Sequence, residues 1–138
     1  MPYVLHVSPE DRTARIRVEG TLNGAEVIAA CQELVDHEDW RRGYATLWDF
    51  RDLRALLLLP ADVDAFAALA GGFAEKRGPG RSAFVTDDPS VHINALLLAL
   101  KTQKAQVRAP GTALCSHGRE SRVFARLEAA EAWLAEQE

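Results

Sequence analysis

The sequence has few of the residues that mark a disulfide-stapled or membrane-spanning protein. It contains only two cysteines, Cys31 and Cys115, which cannot make a disulfide framework, so we expect a reducing compartment. Its apolar runs, such as residues 95–100, are far shorter than the roughly 18 residues that a membrane span needs. Residues 1–7 have no basic start, which argues against a signal peptide. These absences predict a cytoplasmic protein with no membrane insertion.

An excess of positive charge is also lacking. The formal net charge is −4, which gives the chain no overall attraction to nucleic acid, so we expect no nucleic-acid partner. Basic residues do concentrate within 101–126, followed by four glutamates in 127–138. This stretch could bind phosphate groups, but we favour a solvated face that is neutralised by the acidic tail.

Apolar spacing predicts five strands and about four helices. Residues 3–7 and 14–18, separated by turn residues, predict a β-hairpin. Asn23, with Glu26 three residues later, predicts the start of a helix. The remaining predicted elements are a strand at 44–50, a helix from Pro60, a strand at 82–86, a helix to about 104, a loop at 105–120, a strand at 122–125 and a helix at 127–136. Their order indicates a single α/β domain over residues 1–138, with a mixed, largely parallel five-stranded sheet.

Charged residues follow the third and fourth predicted strands. Asp49, Arg51 and Asp52 close the third strand, and Asp87 and Asp88 follow the fourth. Ligands in open α/β sheets bind outside the carboxyl ends of parallel strands, so a site is expected at this edge. The alternative explanation, which we favour, is that Asp49 or Asp52 pairs with Arg51 or Arg54 and that Asp87 or Asp88 caps the third helix.

Two further features complete the candidate binding set. His92 lies on the predicted third helix, where a surface position is expected. Leu56, Leu57, Leu58 and Leu59 stand where a polar loop would be expected. Burying a leucine stabilises by about 1.5–3 kcal/mol, so we expect these side chains to be covered. The domain core, a homodimer interface and a ligand pocket remain alternatives for this cover.

Metal and catalytic motifs are not found in the sequence. Cys115 and His117 are two potential zinc ligands, but no second pair stands at a useful spacing. A serine nucleophile in an elbow sequence is also missing. The sequence therefore predicts no metal site, no cofactor and no catalytic residue.

Two segments carry a family resemblance that covers nearly the whole chain. The strand Leu47-Trp48-Asp49-Phe50-Arg51-Asp52 and the ending 123–134, which runs from a strand into Leu-x-x-Ala-x-x-Trp-Leu, resemble small bacterial SpoIIAA-like proteins related to STAS domains. The resemblance implies a STAS-like fold and a partner-binding role, often switched by phosphorylation at the start of the second helix. Residues 56–62 contain no hydroxyl, so this chain departs from that switch.

Together these features predict a non-enzymatic, STAS-like regulatory or interaction module that forms a homodimer. The fold also resembles CRAL-TRIO lipid carriers, so the main alternative is a carrier of a small apolar or amphipathic ligand. A third hypothesis is an enzyme that uses Asp49, Asp52, Asp87 and Asp88. The sequence names neither the partner nor the pathway.

Overall fold

The computed structural model describes residues 3–57, 59, 61, 62, 64, 65, 68, 75–87, 114–116 and 119–136. Its strands and helices, in chain order, are β1 (Tyr3–Ser8), β2 (Thr13–Asn23), α1 (Gly24–Asp36), β3 (Ala45–Leu57), β4 (Gly80–Val85), β5 (Leu114–Ser116), β6 (Arg119–Phe124) and α2 (Leu127–Ala135). Residues 61, 62, 64, 65, 68 and 75–77 are also helical. Asp88, His92 and Leu58, three of the predicted site residues, lie outside the described residues.

The strands form one sheet in the order β1-β2-β3-β4-β6-β5. β2, β3, β4 and β6 run parallel, while β1 and β5 pair antiparallel at the two edges. The predicted fold class is therefore confirmed, including the β1–β2 hairpin. The sheet has one strand more than the five expected. β5 has only three residues, too few to show a period in the segment that was predicted as a loop.

The start of α1 follows the sequence prediction. The Asn23 side chain accepts a hydrogen bond from the Glu26 backbone N–H at 2.9 Å, and the Glu26 carboxylate accepts one from the Asn23 N–H at 2.9 Å. This reciprocal capping box satisfies two backbone donors that the first helical turn would leave without partners. Val27, Ala30 and Leu34 of α1 are buried against the sheet. The local sequence thus fixes where β2 ends and the helix begins.

The two faces of the sheet carry separate apolar clusters. One face packs against α1 and includes Ile16, Val18 and Trp48. The other packs against α2 through Leu47, Ala83, Val85 and the buried α2 residues Ala130, Trp133 and Leu134. β3 contributes alternate residues to both clusters, which explains its nearly continuous apolar sequence from 44 to 50.

On the face that α2 covers, the β1–β2 end of the sheet is open. Val4 and His6 of β1 are exposed and lie beside Arg17 and Arg15 of β2, respectively. Arg15 reaches back to Glu131 of α2, with Nη1 and Oε1 3.3 Å apart. The side of β2 that carries Arg15 and Arg17 is therefore accessible to solvent.

β3 is longer than predicted, and its pairing with β2 contains two irregularities. From the pair Arg17–Asp49 to the pair Glu19–Asp52, β2 advances two residues and β3 three. A second extra β3 residue lies between the pairs Gly20–Leu53 and Thr21–Ala55. Such bulges bend a strand and redirect its side chains. The prediction that Asp49–Asp52 ends the strand is wrong, because pairing with β2 carries β3 on to Leu57.

Gly20 lies at the second bulge with a φ of +72°, and a Cβ built there would touch nothing within 4 Å. We expect Gly20→Ala to destabilise the fold by roughly 1–2 kcal/mol through backbone conformation alone, because L-residues disfavour this region. Gly20→Asn should cost less, since asparagine tolerates the left-handed conformation. Urea denaturation of both variants measures the difference. Equal stability of Gly20→Ala and the wild type would show that the left-handed backbone is not required.

Candidate functional site

An open groove of about 850 Å³ lies along the part of β2 and β3 that contains the two bulges. Its lining is mostly polar and charged and consists of Arg17, Glu19, Gly20, Thr21, Arg51, Asp52, Leu53 and Arg54. In a regular strand, where side chains alternate between the two faces, Arg51 and Asp52 would point to opposite faces of the sheet. Here both are exposed, and the next residue, Leu53, is buried in the cluster beneath α1. The bulges thus place consecutive charged residues at one groove.

Asp49 holds Arg51 in place at this groove. Its Oδ1 accepts hydrogen bonds from Nε and the backbone N–H of Arg51 at 2.9 and 3.1 Å, and its Oδ2 accepts one from Nη2 at 2.8 Å. Asp49 is buried, whereas the Arg51 side chain is 45% exposed. A forked, charge-assisted contact of this kind fixes both the position and the plane of the guanidinium. The expected local pairing of Asp49 with Arg51 is present.

The chemistry of Asp49 follows from this contact. Burial by itself would raise the pKa of the Asp49 carboxyl, but the hydrogen bonds and charge of Arg51 outweigh it, and the net pKa is below the ordinary value. In turn, the hydrogen bond to Asp49 raises the pKa of Arg51. A carboxyl that stays ionised near neutral pH has no proton to donate and is a weak base. Asp49 is therefore suited to positioning Arg51 and poorly suited to proton transfer.

Asp52 makes a different pairing from the one expected. Its Oδ2 accepts hydrogen bonds from Nη2 and Nε of Arg17 on β2, at 2.7 and 3.2 Å. Glu19 lies 3.5 Å from the same Nη2. The sequence prediction had paired Asp52 with Arg51 or Arg54, which are its neighbours in the chain. The cross-strand partner follows from the parallel register, which brings β2 residues 17–19 beside β3 residues 49–52.

The other strand-end residues contribute less to a site. Thr86 is buried, and its backbone N–H donates to Phe124 O at 2.9 Å. Asp87 is exposed, while Asp88 and His92 lie outside the described residues. Among the residues that the structure describes, no group of three or more His, Cys, Asp or Glu side chains could hold a metal ion. The four-carboxylate hypothesis is not supported by the described geometry, because Asp49 is held by an arginine.

Two residues of the leucine segment, Leu57 and Leu59, are exposed. Leu57, at the end of β3, is 56% exposed, and Leu59 is 66% exposed. Asp62 accepts a hydrogen bond from the Leu59 N–H at 3.0 Å and donates its own N–H to Leu59 O at 2.9 Å, which places Leu59 at the cap of a helical turn. The domain core therefore does not cover Leu57 or Leu59. A homodimer interface and a ligand pocket stay as the alternatives for these two residues.

Arg122, one of the described residues of the basic stretch, packs against α2. The guanidinium carbon of Arg122 lies 5.0 Å from the centre of the Trp133 ring, and that of Arg81 lies 4.8 Å from it. These cation–π contacts tie β4 and β6 to α2. Arg81 also donates to Trp133 O at 2.6 Å. Arg122 is therefore a structural residue.

The sequence-based prediction missed six lining residues, namely Arg17, Glu19, Gly20, Thr21, Leu53 and Arg54. The second strand was predicted over residues 14–18, whereas β2 continues through Gly20 to Asn23. A glycine inside a strand pattern is a signal for a bulge or a close approach, so this position could have pointed to the groove.

No helix among the described residues is both long and apolar enough to cross a membrane.

Asp49→Asn should destabilise the protein by roughly 1 kcal/mol at pH 7, a modest cost because the exposed Arg51 is screened by solvent. The folded-state pKa of Asp49 lies below its ordinary value of about 3.9, so the ionised form stabilises the fold above that pH. This contribution is lost as the pH falls through the folded-state pKa. The difference in the free energy of unfolding between wild type and variant should therefore disappear below about pH 4.

Urea denaturation at pH 7 and near pH 3 measures this gap. Asp39→Asn, at an exposed position, is the matched control and should have little effect at pH 7. A gap of the same size at both pH values would rule out the ionised carboxylate as its source.

Comparison with solved structures supports the fold. A protein of the DUF3478 family from Shewanella loihica PV-4, described as having a SpoIIAA-like fold, aligns over 96% of this chain and 91% of its own. The TM-score is 0.55 at 15% sequence identity. The anti-sigma factor antagonist SpoIIAA in its unphosphorylated form aligns over 67% of this chain and 79% of its own, with a TM-score of 0.44 and 15% identity.

No family model and no curated protein matches the sequence. At 15% identity the structural likeness concerns architecture alone, since one fold supports many functions. The resemblance noted from the strand 47–52 and the ending 123–134 is confirmed at that level. The chain has a SpoIIAA-like fold.

Proposed function

We propose that this chain is a non-enzymatic, STAS-like interaction module that works as a homodimer. The observation that carries the proposal is the exposure of Leu57 and Leu59, which are two positions apart in the chain. Leaving two leucines in water forgoes about 1.5–3 kcal/mol for each. A partner surface is the simplest way to recover that stabilisation.

A second copy of the chain is the partner we favour. A two-fold contact needs one patch that is complementary to itself, and a short apolar segment near the axis provides it. The charged groove residues near Leu53 would then form part of the polar rim that surrounds a dry centre. A stable interface buries at least about 1,000 Å² in total, so the leucines need neighbouring surface as well.

The two alternative functions have less support. An apolar-ligand carrier would need an apolar cavity, whereas the groove at β2 and β3 is lined mainly by charged residues. An enzyme would need a carboxyl with a proton to exchange, which Asp49 does not offer at neutral pH.

We place the module in the cytoplasm, because Cys31 is a free thiol. Its burial raises the pKa of this thiol to about 12.

The double variant Leu57→Asp/Leu59→Asp tests the proposal. We expect a folded monomer, because charge is not tolerated at the dry centre of an interface and both positions are exposed in the single chain. Analytical ultracentrifugation gives the oligomeric state, and circular dichroism confirms that the fold is kept.

Val4→Asp is the matched control, since Val4 is 68% exposed on β1, away from the leucine segment. This variant should remain dimeric. A monomeric wild type, or a leucine variant that stays dimeric, would contradict the proposal.

A further inference from the structure

We propose that the groove between β2 and β3 binds a small phosphorylated molecule that also carries hydroxyl groups, with Arg17, Arg51 and Arg54 as its phosphate-binding residues. This inference goes beyond the proposed interaction function and does not depend on dimer formation. It rests on how the Arg17 and Arg51 guanidinium groups are held, on the acceptors in the groove lining, and on the size of the groove.

Arg51 is the arginine of the three that a buried carboxylate holds in place. Nε and Nη2 are occupied by the buried carboxylate of Asp49, at 2.9 and 2.8 Å. Within the described part of the chain, Nη1 has no protein partner, and the side chain is 45% exposed. A guanidinium fixed along one edge by a buried carboxylate presents its other edge without further loss of side-chain freedom.

Arg17 and Arg54 add two further positive charges to the groove lining. Arg17 is held by Asp52 through Nε and Nη2. Among the described residues, Arg54 makes no ion pair and is exposed. Guanidinium groups bind phosphate oxygens in a forked, charge-assisted geometry, which makes arginine the preferred residue for such groups.

The remaining lining residues indicate what else the ligand carries. Glu19 and Asp52 accept hydrogen bonds, and Thr21 can both donate and accept them. These carboxylates partly neutralise the arginines. A free inorganic anion should therefore bind less tightly here than a phosphorylated molecule whose hydroxyl groups donate hydrogen bonds to the carboxylates. None of the residues that line this groove is aromatic, which disfavours a ligand that binds by base stacking.

The volume of the groove agrees with a ligand larger than a free ion. At about 850 Å³, it lies within the range of roughly 300–1,000 Å³ that small-molecule sites occupy. The groove also exists before any ligand arrives, because the two β3 bulges and the left-handed Gly20 belong to the backbone. The structure therefore presents a pre-formed polar site.

The test is a titration of uniformly ¹⁵N-labelled protein, followed by backbone amide shifts, with glycerol phosphate, inorganic phosphate and glycerol as separate probes. We expect saturable shifts at groove residues with glycerol phosphate, weaker binding of inorganic phosphate and no response to glycerol. Arg51→Gln should weaken glycerol phosphate binding by about tenfold, as expected for a lost hydrogen bond to a charged group.

Arg12→Gln is the matched control, because it removes one exposed arginine from the turn before β2, at the other end of that strand from the groove. It should bind like the wild type. Arg54→Gln provides a second test that does not disturb the Asp49–Arg51 contact, and it should also weaken binding. Unperturbed groove amides in the wild type, or wild-type affinity in both groove variants, would overturn the proposal. Equal affinity for phosphate and glycerol phosphate would overturn the role given to the hydroxyls.

Discussion

The parallel pairing of β2 with β3 determines where every charged residue of the candidate site lies. Phe50 and Leu53 both lie in the apolar cluster beneath α1, yet Leu53 comes three positions after Phe50, whereas strict alternation would place it two or four positions after. The extra β3 residue opposite β2 residues 17–19 accommodates this spacing. It also keeps Asp52 in solvent, since burying an unpaired carboxylate would cost several kcal/mol. The groove is thus a by-product of keeping the core continuous.

The Asp49–Arg51 pair shows why a buried charge is retained here. Replacing a buried ion pair with apolar side chains is often neutral or stabilising, so the pair is a poor source of net stability. The pair instead fixes the position of Arg51, because three of its N–H groups donate hydrogen bonds to the one carboxylate of Asp49. A fixed cation on an open face is useful for recognition and has no role in packing.

Local signals in the sequence were sufficient for the elements that depend on nearby residues. The Asn23–Glu26 capping box and the β1–β2 hairpin were both predictable, because their partners are close in sequence. Asp49, Arg51 and Asp52 were also identified as site candidates. Their partners could not be assigned, because the Arg17–Asp52 pair depends on the register between two strands that are far apart in the chain. The exposure of Leu57 could not be predicted either, because four adjacent leucines indicate burial when only the sequence is known.

The order of β3, β4 and α2 along the chain affects how the protein is made. The α2 residues Ala130 and Trp133 pack against Leu47, Ala83 and Val85, all of which leave the ribosome before the helix does. Until α2 has been synthesised, these strand residues lack the apolar contacts that it provides. Partly folded chains with exposed apolar surface are prone to aggregate. The core on this face of the sheet is therefore completed only after α2 has emerged.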